Sequence, residues 1–202
     1  EIRTPINGVL GMTQLLLDTK LSGEQIDFAQ TIHKSAEGLL SIINDILDFS
    51  KGEASRYEIE AIPFSLSGVV HECLDTVSIV AAEKKLELCL QLDEHLPDTL
   101  EGDPSRLRQV LLNLLSNAVK YSTDKRYLKV TVARESKEML GVCVEDKGMG
   151  IDEGDLEKIF GRFYRAGDEL TRGISGAGLG LSLVDHIVRA HNGEISVESE
   201  KG

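Results

Sequence analysis

Nowhere does this sequence sustain the roughly 18 to 20 consecutive apolar residues that a membrane-spanning helix needs. The segment that follows Glu1 has no apolar stretch of the signal-peptide kind either. A soluble, cytoplasmic piece without direct membrane contact is expected, and an inner-membrane anchor in a parent protein stays open. Positive charge is also scarce: 22 Lys and Arg stand against 34 Asp and Glu, a net charge of −12. Such a surface repels a phosphate backbone, and no basic patch interrupts it, so nucleic acid is not an expected partner. The three cysteines, Cys73, Cys89 and Cys143, never form a CxxC pair. Their apolar neighbours predict buried structural thiols in a reducing compartment, not metal ligands. Neither GxxxxGK[ST] nor GxGxxG occurs, which disfavours P-loop and dinucleotide-binding folds.

What is present is an ordinary globular balance, 41% apolar and 28% charged over 202 residues. That is enough for one domain plus a smaller element. Apolar residues at Ile2, Ile6, Leu10 and Leu17 predict a helix over 2–17, which Pro5 should bend or open. After a polar break, Ile32, Ala36, Leu39, Ile43 and Ile46 alternate steps of four and three, predicting a helix over 24–50 with a heptad seam. Helices this close in sequence pack antiparallel. Leu40, Ile42, Leu47 and Phe49 widen the apolar face beyond what one partner helix covers, which points to a dimeric four-helix bundle. Packing of the hairpin on the rest of its own chain is the alternative. Gly52, within 51–55, reads as the start of a linker.

Beyond the linker the pattern turns to mixed α and β. Leu66 to Val77 marks a helix, and Leu86, Leu88, Leu90 and Leu92 alternate as a strand. Asp103-Pro104 supplies an N-cap and a first-turn proline for a helix that buries Leu107, Val110, Leu111, Leu114 and Leu115. Leu128 to Val132 and Leu140 to Val144 form an antiparallel hairpin. A helix over 179–191 and a last strand through Ile195 and Val197 complete an α+β fold, with helices layered on one face of a mixed, mostly antiparallel sheet.

Three features could carry chemistry. Asn113, Asn117 and Lys120 fall on one helical stripe, where amide oxygens and an ammonium suit a metal and a polyphosphate; a plain solvated face is the other reading. Asp146-Lys147-Gly148-Met149-Gly150-Ile151 follows a strand. Its carboxylate could accept from an exocyclic amine, and its glycines would let a flat ring approach, or it is merely a turn. Gly176, Gly178 and Gly180 run into an apolar helix, whose N-terminus offers amide donors to phosphate, or they form a plain flexible loop.

The succession of Leu107-Arg-Gln-Val-Leu-Leu-Asn113-Leu-Leu-Ser-Asn117-Ala-Val-Lys120-Tyr121, Asp146-Lys-Gly-Met-Gly150-Ile, Ile159-Phe-Gly-Arg-Phe163 and Gly176-Ala-Gly-Leu-Gly180-Leu resembles the N, G1, F and G2 boxes of the ATP-binding fold of histidine kinases, gyrase, mismatch-repair ATPases and heat-shock chaperone ATPases. Glu1-Ile-Arg-Thr4-Pro5 resembles the histidine kinase H-box without its first residue. The likeness covers nearly the whole chain and is closest to the hybrid sensor kinases.

That resemblance implies three segments: a dimerisation and phosphoacceptor hairpin at 1–50, a linker at 51–62, and an α/β-sandwich ATP-binding domain at 63–202. It implies ATP and Mg²⁺, with Asn117 and Asn113 at the metal and Asp146 at the adenine. Lys120, Tyr121, Gly148, Gly150, Ile151, Phe160, Arg165, Gly176, Gly178, Leu179, Gly180 and Leu181 would line the nucleotide, with Arg162, Arg165 and Arg172 as candidates to neutralise the γ-phosphate. Glu1 would orient or deprotonate an acceptor imidazole placed immediately before it, and Thr4 would assist dephosphorylation of a response-regulator receiver domain docked on the same face. Asn113 stands where water-hydrolysing relatives carry a glutamate base. It cannot take a proton, which disfavours a stand-alone ATPase or chaperone. His33, His71, His95, His186 and His191 read as structural or surface residues. The competing expectation is a nucleotide-binding dimeric module, or pseudokinase, that does not phosphorylate itself.

Overall fold

The computed structural model describes residues 2–54, 59–122, 127–136, 139–167 and 176–201; within the second helix it leaves out the side chains of 41, 45 and 47–54. Two helices come first, α1 (Arg3–Leu17) and α2 (Gly23–Ala54). Pro5 does not interrupt α1. It sits in the first turn, where its missing N–H would have no intrahelical partner. Ser22 and Gln25 form a reciprocal capping box at the head of α2: the Ser22 N–H donates to Gln25 Oε1 at 3.0 Å and the Gln25 N–H to Ser22 Oγ at 3.3 Å. The helix then runs through Gly52 to Ala54, past its expected end at 50.

Between the two helices Ile6 and Thr13 are buried with Ala29 and Ala36. Thr13 Oγ1 lies 2.8 Å from His33 Nδ1, and Arg3 Nη2 donates to Asn44 Oδ1 at 2.7 Å. His33 is therefore structural, as expected. The outward face stays apolar: Met12, Leu15, Phe28, Ile32 and Leu39 are all exposed. Leu47 and Phe49, expected to widen that face, lie outside the described side chains.

The remaining elements are β1 (Ile62–Phe64), α3 (Leu66–Glu83), β2 (Glu87–Leu92), β3 (Leu100–Gly102), α4 (Pro104–Tyr121), β4 (Tyr127–Arg134), β5 (Leu140–Asp146), α5 (Glu153–Leu156) and α6 (Gly180–Ala190). The main sheet has the order β2-β4-β5, parallel then antiparallel, and β1 pairs antiparallel with β3 in a small second sheet. Central strand β4 turns Leu128, Val130 and Val132 fully inward. Against them pack α3, through Val70, Cys73 and Val77, and α4, through Leu111, Leu115 and Ala118. Each large side chain in this layer contributes about 1.5–3 kcal/mol by leaving water. α6 adds a second cluster, in which Leu183, Val184 and Ile187 close on Val110.

Caps set the helix starts. Ser65 Oγ accepts from the Gly68 N–H at 3.2 Å, and the buried Asp103 carboxylate accepts from the Arg106 N–H at 3.0 Å. Two expectations fail. Residues 193–201 form no strand; exposure alternates through Ile195 and Val197, but among the described residues no backbone ladder holds them. They meet the chain at Ile151, whose N–H donates to Ser199 Oγ at 3.0 Å. That contact falls beyond the turn that ends β5, not along its edge. Two of the cysteines also differ from expectation. Cys73 is buried, Cys89 half-buried, and Cys143 exposed on the outward face of β5 between inward Val142 and Val144.

Candidate functional site

α4 carries Asn113, Asn117 and Lys120 on the face turned away from the sheet. Asn113 Nδ2 donates to Gln109 O at 2.9 Å, which fixes the amide and leaves Oδ1 on the side of Gly180. The glycine segment lies directly against this stripe. A Cβ added to Gly180 would sit 2.7 Å from Asn113 Oδ1 and 4.0 Å from Asn117 Nδ2, and one added to Gly176 would sit 2.9 Å from Lys120 Nζ. Glycine is thus what allows 176–180 to follow α4. Leu179, the N-cap residue of α6, makes no side-chain cap. The first amides of α6 keep their donors and the positive helix end for an anion.

A second wall begins where β5 ends. Asp146 Oδ1 accepts from the Gly148 N–H at 2.8 Å, and Oδ2 takes no bond among the described residues. A Cβ at Gly148 would press both on Asp146 Oδ1 and on Tyr121 O at 2.7 Å. Gly148 forms a bridge with Ser122, and the Met149 N–H donates to Tyr121 O at 3.3 Å, so this loop is joined to the end of α4. Gly150 takes φ +71°, a conformation costly for other residues. Ile151 is half-buried beside it.

The third wall is 159–166. Ile159 is buried and Phe160 half-buried, while Phe163 is exposed at φ +59°. Gly178, at φ +70°, approaches Tyr164 O so closely that a Cβ would lie 2.6 Å away. The Tyr164 hydroxyl donates to Asp155 Oδ1 at 2.6 Å. That bond holds the Asp155 carboxyl below its ordinary value and pushes the Tyr164 hydroxyl above its own.

Asn113, Asn117, Lys120, Tyr121, Asp146, Gly148, Gly150, Ile151, Gly176, Gly178 and Gly180 therefore converge, with Leu179 buried and Leu181 half-buried at the mouth of α6. Arg162 and Arg165 are exposed on the third wall. Arg172 and Glu1 lie outside the described residues, and Thr4 is exposed in the first turn of α1. Among the described residues no cluster of three or more His, Cys, Asp or Glu is placed to hold a metal. A cation held by amide oxygens here would need phosphate oxygens to complete its shell, which is how Mg²⁺ usually sits at a nucleotide. Sequence reasoning missed Lys84, whose ammonium reaches carbonyls of α4 from 35 residues away.

This arrangement, a sheet-backed helix with an asparagine stripe, an Asp-Gly turn and a glycine segment opening a helix, has counterparts among known proteins. Residues 102–202 match the family of histidine kinase-, DNA gyrase B- and HSP90-like ATPases, and residues 1–55 match the His Kinase A phosphoacceptor domain. The chain therefore belongs to the histidine kinase-, DNA gyrase B- and HSP90-like ATPase family and, within it, to the sensor histidine kinases. It is 40% identical to the sensor protein GacS of Pseudomonas syringae pv. syringae over 205 residues, covering all of this chain and 23% of GacS. It is 39% identical over 204 residues to the histidine-protein kinase BarA of Escherichia coli K12, covering 99% of this chain and 22% of BarA. The crystal structure of full-length ShkA in complex with AMPPNP superposes with a TM-score of 0.80 at 33% identity, over 100% of this chain and 41% of that one. The chain thus spans less than a quarter of the length of these curated relatives.

Proposed function

We propose that this chain is the phosphotransfer core of a hybrid-type sensor kinase. It takes the γ-phosphoryl group of ATP to a histidine and passes it on to an aspartate of a response regulator. The observation that carries this reading is the seating of Gly176 and Gly180 on Lys120 and Asn113, which brings ammonium, amides and a helix N-terminus together, a set suited to a phosphate chain. Asp146 Oδ2 accepts from the adenine amino group. Gly148 and Gly150 let the ring lie against the backbone, with Ile151 and Phe160 as its apolar surroundings. Lys120, Tyr121 and the amides from Gly178 to Leu181 bind the phosphates, with Arg165 beside the terminal one.

Asn117, supported by Asn113, holds Mg²⁺, which supplies charge neutralisation on the phosphate oxygens. In the transfer a nitrogen–phosphorus bond forms as the bond from γ-phosphorus to the bridging oxygen breaks, and ADP leaves. Glu1 takes or orients the imidazole proton. Water has no comparable base, since Asn113 cannot accept a proton, and hydrolysis stays slow.

The hairpin serves as a homodimer interface. Its exposed Phe28, Ile32 and Leu39 support that reading, because a second copy would remove them from water. The α1 face bearing Thr4 docks the regulator and assists its dephosphorylation. The hairpin, whose second helix continues to Ala54, and the nucleotide domain at 63–202 act as separate units in the cytoplasm, joined by the segment between them. No described helix is long and apolar enough to cross a membrane.

Calorimetric titration with Mg-ATP tests the site, and analytical ultracentrifugation tests the hairpin. Asp146→Ala and Asn117→Asp should each abolish nucleotide binding and leave the dimer intact. A variant that bound ATP normally but came apart as monomers would refute this division of labour. With a histidine placed immediately before Glu1, the chain should label from γ-³²P-ATP; binding without labelling would favour a pseudokinase.

A further inference from the structure

The last four carbonyls of a helix lack partners within it. At the C-terminus of α4 all four are taken. The Ser122 N–H returns to Ala118 O at 3.0 Å, and the Met149 N–H reaches Tyr121 O at 3.3 Å. Between them, Val119 O and Lys120 O accept from Lys84 Nζ at 2.7 and 3.0 Å. Lys84 is the C-cap residue of α3, half-buried, with its ammonium at the negative end of the neighbouring helix.

We propose that Lys84 is a positioning residue for the nucleotide, an inference that rests on the nucleotide reading above. The carbonyls it holds belong to the turn in which the phosphate-facing wall passes into the base-facing wall. Lys120 sends its side chain toward Gly176, Tyr121 anchors Met149, and Ser122 bridges Gly148. A helix end released from such bonds frays or tightens toward a 3₁₀ turn. Lys120 and the Asp146–Gly150 loop would then lose their common register, although neither touches Lys84 through a side chain in any described bond.

The test compares the wild-type chain with K84M, which keeps the stem and loses the donors, and K84R, which keeps charge and donors. Val77→Ala, a cavity in the same helix, is the control for general destabilisation. Each is titrated with Mg-ATP and Mg-ADP by calorimetry, melted, and followed by hydrogen exchange at Ser122 and Met149. K84M should bind both nucleotides about tenfold more weakly, the scale of losing bonds from a charged donor. K84R should recover most of that loss. The Ser122 and Met149 amides should exchange faster in K84M, while Val77→Ala lowers the melting temperature at unchanged affinity.

Wild-type affinity in K84M, or an equal loss in Val77→Ala, overturns the inference. So does a loss confined to ATP, which would make Lys84 a distant charge at the terminal phosphate. A wild-type chain that binds neither nucleotide overturns the nucleotide reading itself, and this inference with it.

Discussion

Gly180→Ala separates the fold from the site with a single methyl group. The added Cβ would lie 2.7 Å from Asn113 Oδ1, where ordinary contact begins at 3.4 Å. Asn113 does not yield freely, because its Nδ2 is bonded to Gln109 O at 2.9 Å. Either the amide turns and gives up that bond, at about 0.5–1.5 kcal/mol, or α6 lifts from α4, an overpacking cost of about 1–3 kcal/mol. Against this, alanine in a helix position gains roughly 0.5–1 kcal/mol over glycine. The net destabilisation is about 2.5 kcal/mol at most, a drop of up to several degrees in Tm at the ~2–4 °C per kcal/mol of a larger domain. Affinity should suffer more, because the methyl group would crowd the start of α6, proposed to meet phosphate, and also displace the proposed metal support. A loss of tenfold or more, about 1.4 kcal/mol, is expected in a Mg-ATP titration run well below the melting temperature. Binding as tight as wild type, with a similar melting curve, would refute the claim that this close approach serves the nucleotide.

Three further outcomes follow from single residues. The depressed Asp155 carboxyl, held by the Tyr164 hydroxyl, stabilises the fold above the ordinary carboxylate range near 4 and loses this as pH falls through the lowered value. The raised Tyr164 hydroxyl contributes below about 10 and loses this as pH rises through its raised value. Tyr164→Phe should therefore flatten both limbs of the stability–pH curve measured by urea unfolding; unchanged limbs would place the pH dependence elsewhere. Asp103→Ala removes the buried cap of α4 and should cost about 1–2 kcal/mol in the same assay. Cys143 should react with a thiol reagent in the native chain, while Cys73, 1% exposed and with its pKa raised by burial, reacts only on unfolding.

Much of this was readable because it is local. The Asp103-Pro104 cap and the asparagine stripe depend on neighbours three or four residues away, and helical spacing reports such neighbours directly. The inward strands were readable for the same reason, and Cys143 could have been placed outward by its position between Val142 and Val144. Strands β1 and β3 were not legible, since three residues are too few to display a period of two. Lys84 could not be found either. A lysine at the end of α3 reads as a cap for α3, and only the packing of the two helices reveals that it serves α4. The glycine segment was legible as a phosphate-type motif, but its contacts with Asn113 and Lys120 depend on how α6 meets α4.

α4 explains why stability and binding are linked in this fold. Its core stripe runs through Leu111, Leu115 and Ala118, and its site stripe through Asn113, Asn117 and Lys120. Both have steps of four and three, and they are offset by two residues. At about 100° per residue that offset is roughly half a revolution, so the two stripes occupy opposite sides of one rigid cylinder. Turning α4 by one position toward its C-terminus would aim Ser116 at the sheet, and one position the other way would aim Asn117. Either slip buries a polar group against Leu128 and Val130 without a partner, at a cost of a few kcal/mol. The apolar packing on one side thus fixes the rotation of the amides on the other. What it leaves undetermined is the last turn, where the helix can still fray; there the carbonyls are held by Lys84 and Met149 instead.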